Sequence, residues 1–322
     1  MASRMKALLF DGTRITLVMR PRARARAGEA LVRVSLAGIC STDLEIMRGY
    51  MAFKGIPGHE FVGTVVSSPV KSLIGRRVVG EINIPCGACP TCRAGLGKHC
   101  SARSVLGISR RNGAFAEYLS LPVENLHLVP HAVGDEQAVF TELVAAACEI
   151  PERVSIRRRD AVLVLGDGRL AAMVAQVMAT KSDRVIVLGR RRRKLAALRR
   201  AGIRTCGVRR AAALLHTQDI VVECTGSPAG LPLAARLVRP RGTIVLKSTY
   251  HGSILWNPTS LAVDEITVVG SRCGPFKRSL ELIRSGKVKV LPFLSGIYPL
   301  ERWETAFRRA RQADAFKVLI RM

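Results

Sequence analysis

The chain has 322 residues, 48% of them apolar and 23% charged, which suits a well-packed globular protein too long for one hydrophobic core, so two domains are expected. No apolar run approaches the ~20 residues that a membrane-spanning helix needs, so no membrane partner is expected. Lys and Arg number 51 against 24 Asp and Glu, a net charge of +27 that invites nucleic-acid binding, yet an aromatic content of 5% leaves few stacking platforms for single strands. The basic residues run along the whole chain, with denser patches at Arg20–Arg26, Arg157–Arg159 and Arg190–Lys194, as a composition bias over solvated faces would leave them.

The amino terminus reads as a strand, a turn at Asp11-Gly12 and a second strand; it lacks the long apolar stretch and cleavage site of a secretory leader, which predicts a cytoplasmic location. Short β-type runs follow at Ala30–Leu36, Gly63–Val66, Arg77–Val79 and Phe115–Leu121, the texture of an irregular, mostly antiparallel β domain. An alanine-rich segment, Glu142–Ile150, predicts a helix. From about Asp160 the pattern becomes strand, glycine turn, helix, strand: Ala161–Leu165, helix Leu170–Thr180, Arg184–Leu188, helix Lys194–Ala201, Ile220–Glu223, helix Leu231–Val238, Gly242–Lys247 and Ile266–Val269. Such alternation predicts a doubly wound parallel sheet. From about Val288 a strand and a last helix, Leu300–Ala310, lead to Lys317–Arg321 and rejoin the first domain.

Nine cysteines in a chain expected in a reducing compartment point to metal rather than disulfides, and four of them crowd into Cys86–Cys100. Cys86, Cys89 and Cys92 are spaced CxxCxxC, and Cys100 completes a set of four thiolates that can close a tetrahedron around Zn²⁺ with no place left for water. Such a site holds a fold together and does no chemistry. Upstream, Cys40-Ser-Thr-Asp43 and Gly58-His59-Glu60 carry separated residues of the types that bind a catalytic zinc, which takes three protein ligands and keeps one position open. Cys40 and His59 supply two, and Asp43 can fix the imidazole through its second nitrogen.

Downstream, Val162-Leu-Val-Leu-Gly166-Asp-Gly168-Arg-Leu-Ala171 is a strand, a GxGxxA turn and a helix start, the setting in which that pattern binds a dinucleotide. Gly166 makes the turn, Gly168 lets the pyrophosphate approach, and Ala171 lets helix and strand pack. An acidic residue about 20 positions on marks NAD by binding the ribose 2′-hydroxyl. Leu188 is followed instead by Gly189 and the run Arg190–Arg193, whose first members, Arg190 and Arg191, suit a 2′-phosphate. This predicts NADP(H) in preference to NAD(H).

In order and over nearly the whole chain, CSTD, GHEFVG, the four-cysteine loop and the glycine turn resemble the zinc-containing medium-chain dehydrogenase/reductase family. The resemblance implies a GroES-like catalytic domain over 1–145, completed by 288–322, and a Rossmann domain over 146–287. It implies an alcohol or ketone substrate, a homodimer or homotetramer, and a third zinc ligand in a carboxylate. Glu142 of Phe-Thr-Glu-Leu-Val takes that place; Cys148 is the runner-up, and Glu60 either supports the ligands from behind or is an alternate ligand. Thr42 matches the position that hydrogen-bonds the substrate oxygen, and Glu45 replaces the histidine at the far end of the proton relay. Tyr50 is placed in the substrate pocket or in ordinary packing. Thr225, in Glu223-Cys-Thr-Gly226, falls near the cofactor, and Lys317 matches a basic position that reaches the pyrophosphate. Lys247-Ser-Thr-Tyr-His251 falls near the nicotinamide, touching substrate or supporting its loop. A basic nucleic-acid-binding protein that keeps this fold without activity is the rival reading.

Overall fold

The computed structural model describes residues 3–249 and 253–322. The chain divides into two compact units, Met1–Glu142 together with Leu294–Met322, and Leu143–Phe293.

In the first unit the Asp11-Gly12 turn joins strands Arg4–Phe10 and Ile15–Pro21 as an antiparallel hairpin, with Gly12 at φ +105° and Asp11 Oδ1 accepting from the Thr13 and Arg14 amides. The main sheet orders its strands as Leu126–Leu128, Arg77–Gly80, Glu60–Ser67, Glu29–Ile39, Lys317–Arg321 and Leu294–Pro299, and Tyr118–Pro122 also pairs with Glu29–Ile39. Every pairing in it is antiparallel except Leu294–Pro299 with Lys317–Arg321. The C-terminal strand is thus a central member of the sheet. The expected strand from Val288 starts later, at Leu294, because a 3₁₀ turn over Leu291–Phe293 precedes it.

Two registers decide where the chemistry falls. Gly38 lies opposite Glu60, and Ile39 lies opposite Val318. Cys40, just past the end of one strand, and His59, just before the start of its antiparallel neighbour, therefore meet at one edge of the sheet, with Lys317 beside them. Sequence distance is erased by pairing.

The second unit is a six-stranded parallel sheet in the order Thr205–Gly207, Arg184–Gly189, Ala161–Leu165, Gln218–Glu223, Val238–Leu246, Thr267–Gly270. Numbered along the chain this is 3-2-1-4-5-6, the doubly wound order. Ala161–Leu165 is buried along its whole length, as a central parallel strand covered on both faces must be. Other strands of the sheet contribute Leu188, Val221 and Ile244 to one apolar core, closed by Ala234 and Leu237 of the helix Gly230–Leu237.

Candidate metal and nucleotide sites

The segment Cys86–Cys100 winds around a short helix, Pro90–Arg93, and a 3₁₀ turn, Gly97–His99. It brings its four sulfurs within 4.8 Å of one another. Individual separations are 3.9 Å for Cys86–Cys92, 3.4 Å for Cys89–Cys92, 3.7 Å for Cys89–Cys100 and 3.6 Å for Cys100–Cys86. A tetrahedron with Zn–S bonds of ~2.3 Å has edges of about 3.8 Å, so the donor set fits zinc, while a disulfide would need about 2 Å. Backbone N–H groups of Ala88 and Cys89 point at the Cys86 sulfur and pull its pKa down to about 6. Desolvation, then the neighbouring Cys89, push Cys92 up to about 12. The loop thus already favours one thiolate, and a cation would favour the rest.

At the sheet edge Cys40 caps the helix Ser41–Ile46, and Asp43 in its first turn reaches back to accept the Cys40 amide at 2.7 Å. The other oxygen of Asp43 accepts the Gly58 amide at 3.2 Å and lies 3.4 Å from His59 Nδ1. One fully buried carboxylate therefore ties both ligand-bearing segments together. Gly58 sits at φ +93°, and a Cβ there would collide with Phe115, so only glycine makes this turn. Ligand atoms of Cys40, His59 and Glu60 lie within 4.8 Å of one another. Burial disfavours the His59 imidazolium, but the charges of Asp43 and Cys40 outweigh it and hold its pKa well above the ordinary value. His59 Nδ1 and Glu60 Oε1 are both buried without a hydrogen-bond partner. Buried polar atoms of this kind call for an explanation, and a cation held by the cysteine, the histidine and the carboxylate supplies one for Glu60.

The compact set differs from the expected one in its third member. Glu60, expected as an alternate ligand, stands in it, whereas Glu142, in the first turn of the helix Thr141–Arg153, does not. Cys148 is also outside both clusters; burial pushes its thiol up to about 12, as for a small core residue. Thr42 is half-buried with Oγ1 3.8 Å from Cys40 Sγ. Glu45 is paired with Arg48 at 2.7 Å. Tyr50 packs against the cluster of Phe10, Ile46 and Phe53.

Lys317 adds to the sequence reading. It is fully buried and its Nζ is bound to Glu60 Oε2, a partner that the sequence reading did not foresee. A carboxylate buried this deeply needs a paired cation, and the register of the C-terminal strand delivers one. Gly38 leaves the room: a Cβ there would strike the Glu60 carboxylate. Sequence reasoning missed this pair because its members lie 257 residues apart.

In the second unit Gly166 holds φ +124°, and a Cβ on it would lie 2.7 Å from the Cys224 carbonyl oxygen. Gly168 caps the helix Arg169–Ala179 with no side chain in the way, so an anion can approach the helix start, and Ala171 is fully buried. Gly166 and Gly168 line a cleft of about 150 Å³ together with Gly189 and Thr225. Thr225 is held by Glu223, which accepts its amide at 2.7 Å and its hydroxyl at 2.5 Å. The cradle fits a dinucleotide.

The strand Arg184–Gly189 ends without an acidic residue, as expected, yet a carboxylate is present there. Asp167, in the middle of the glycine turn, is 5% exposed and accepts the Arg190 and Arg191 amides at 2.8 and 2.7 Å. Arg191 Nη1 binds its other oxygen at 3.1 Å. Of the two arginines assigned to a 2′-phosphate, one is therefore already engaged. Lys247 is buried with Nζ 3.3 Å from Ser271 Oγ and 3.4 Å from the Arg272 carbonyl, a loop support; Tyr250 and His251 lie outside the described residues.

Comparison with known proteins agrees with this geometry. Residues 26–131 match the family described as "Alcohol dehydrogenase GroES-like domain", and residues 166–285 match "Zinc-binding dehydrogenase". D-arabinitol dehydrogenase 1 of Uromyces fabae is 28% identical, over 91% of this chain and 90% of its own. A solved structure of a short chain alcohol dehydrogenase (rspB) from Escherichia coli CFT073, complexed with NADH, is 25% identical and superposes with a TM-score of 0.92 over 99% of this chain and all of its own. A zinc-binding dehydrogenase of Sinorhizobium meliloti 1021, bound to NADP, is also 25% identical and superposes with a TM-score of 0.91 over 99% of this chain and 100% of its own. These relatives support an oxidoreductase and not the nucleic-acid-binding alternative. No helix among the described residues is long and apolar enough to cross a membrane. The chain belongs to the zinc-containing medium-chain dehydrogenase/reductase family, with a GroES-like and a Rossmann domain, and is an NAD(P)-linked oxidoreductase of the alcohol dehydrogenase type.

Proposed function

We propose that the chain interconverts a polyol or related alcohol and its ketone at a catalytic zinc held by Cys40, His59 and one carboxylate. The observation that carries this reading is the convergence of Cys40, His59 and Glu60 at the ends of paired strands, with a buried, unpartnered oxygen on Glu60. When bound, zinc supplies Lewis acidity to the substrate oxygen and the nicotinamide accepts or gives the hydride. Asp43 faces Nδ1 of His59, which leaves Nε2 as the metal-facing nitrogen. Glu60 is the carboxylate that the geometry offers and Glu142 the one that the family resemblance offers; the zinc affinities of Glu60→Gln and Glu142→Gln decide between them.

Thr42, beside the Cys40 sulfur, hydrogen-bonds the substrate hydroxyl and passes its proton outward. Glu45, in its ion pair with Arg48, lies three residues on and marks the solvent end of that path. Cys86, Cys89, Cys92 and Cys100 hold a second, structural zinc. D-arabinitol dehydrogenase among the relatives supports the polyol class. The exposed Arg190, Arg192 and Arg193 support the NADP(H) preference read from the sequence, whereas the commitment of Arg191 to Asp167 weighs against it. A homodimer or homotetramer in the cytoplasm completes the reading. Metal counting alongside a panel of polyols, alcohols and ketones assayed with both dinucleotides tests it. Two zinc ions per chain and dinucleotide reduction are expected; zero or one zinc with no turnover across the panel overturns it.

A further inference from the structure

The end of the strand Arg184–Gly189 is where a dinucleotide-binding fold places the acidic residue that reads the ribose 2′ position. Gly189 has no side chain to offer, and its missing side chain is not empty space. A Cβ built on Gly189 would lie 2.7 Å from Asp167 Cβ and 2.9 Å from Asp167 Oδ2. The carboxylate of the glycine turn thus fills the place that an acid at position 189 would occupy. The two are mutually exclusive.

The hydrogen bonds say what remains available. Oδ2 accepts two amides, those of Arg190 and Arg191, and Oδ1 accepts one guanidinium N–H. A carboxylate offers about four lone-pair sites, so Oδ1 keeps one acceptor position for a hydroxyl donor. The same two amides are the backbone donors that a 2′-phosphate at this strand end would seek. They are occupied by a group of its own charge, in a site 5% exposed, where solvent screens poorly. The nearest arginine charge is compensated by the same carboxylate, and Arg190, Arg192 and Arg193 are exposed, where water weakens their pull.

Resting on the reading of residues 166–191 as the dinucleotide turn, we propose that Asp167 is the residue that selects the cofactor: a carboxylate moved from the strand end to the glycine turn, which accepts the ribose 2′-hydroxyl, excludes the 2′-phosphate and makes the enzyme prefer NAD(H). The arginine run is then a solvated face, and the preference expected from it is reversed.

Calorimetric titration of the full chain with NADH and with NADPH tests this without turnover. The wild-type protein binds NADH more tightly, by about tenfold or more, the scale of one short-range charge repulsion. Asp167→Asn narrows that ratio by a similar factor, chiefly by tightening NADPH. The double substitution Asp167→Gly with Gly189→Asp removes the Cβ of residue 167 along with its carboxylate, returns an acid to the strand end in the vacated space and restores the NADH preference, which guards against a single variant that folds poorly. Equal binding of the two dinucleotides by the wild type, tighter binding of NADPH, or an unchanged ratio in a folded Asp167→Asn protein overturns the assignment. Binding of neither overturns the dinucleotide turn itself, and the assignment with it.

Discussion

The two cysteine-bearing sites of the first unit are built in opposite ways. The four-cysteine loop draws all its donors from fifteen consecutive residues, Cys86–Cys100, and three of its four sulfurs belong to exposed or half-buried residues. The buried centre draws Cys40 from one strand end and His59 and Glu60 from another, with Lys317 contributed from the far end of the chain. A local site organises its own segment and is indifferent to the rest of the sheet. A site assembled by strand pairing inherits its precision from the sheet and is lost with it. The difference predicts that loss of a cysteine of the loop appears as stability, and loss of Cys40 at the buried centre as activity.

The largest effect follows from the loop. Cys100 is its one fully buried thiol, and Cys100→Ser removes one of the four thiols proposed to hold the structural zinc. Structural zinc sites contribute on the order of 10 kcal/mol to the segments that they fold, so the expected result is a drop from two zinc ions to one and a steep fall in melting temperature. Retention of both ions would break the comparison. Cys40→Ser also lowers the count to one, but the melting temperature changes little, and turnover falls by about 10³-fold or more, since a lost Lewis acid forfeits several kcal/mol of transition-state stabilisation. Mass spectrometry of the native protein, thermal denaturation and turnover separate the two variants.

These two sites also show how far the sequence could be read. The loop was legible because its spacing is its geometry. Cys40, His59 and Asp43 were legible as residue types in turn-flanked motifs, and the doubly wound order followed from the alternation of strands and helices. The pairing of Lys317 with Glu60 was not legible because nothing local marks a lysine that neutralises a carboxylate 257 residues away; only the strand register does. Asp167 was passed over for a related reason. It stands between the two glycines of the turn, where the pattern specifies no residue type, and its place exists only because Gly189, on the neighbouring strand, leaves room for it.

Lys317 gives the next prediction. Lys317→Met keeps the length of the side chain but leaves the Glu60 carboxylate buried without its cation. Breaking a buried pair by removing one partner costs about 3–5 kcal/mol, so chemical denaturation should show a loss of that size in the metal-free protein. Zinc should recover part of it, because a divalent cation beside Glu60 replaces the missing charge. Equal losses with and without zinc would mean that Glu60 does not face the metal.

The smallest effect, and the one that best separates a ligand from the residue that orients it, is at Asp43. Its two oxygens hold the Cys40 and Gly58 amides, and one of them faces His59 Nδ1. Asp43→Asn keeps the shape but replaces one acceptor with an N–H₂ group, so one of the two amides or the imidazole meets a donor in place of an acceptor. The ligands remain present and the sheet that carries them is untouched. Zinc affinity at the buried centre should therefore fall by about 10- to 100-fold, the range seen when the partner of a ligating histidine is removed, while the four-cysteine loop keeps its ion. Competition with a chromogenic chelator resolves the two sites by their release. Simultaneous weakening of both would show that Asp43 supports the whole unit rather than the imidazole, and the distinction between a local and an assembled site would have to be drawn elsewhere.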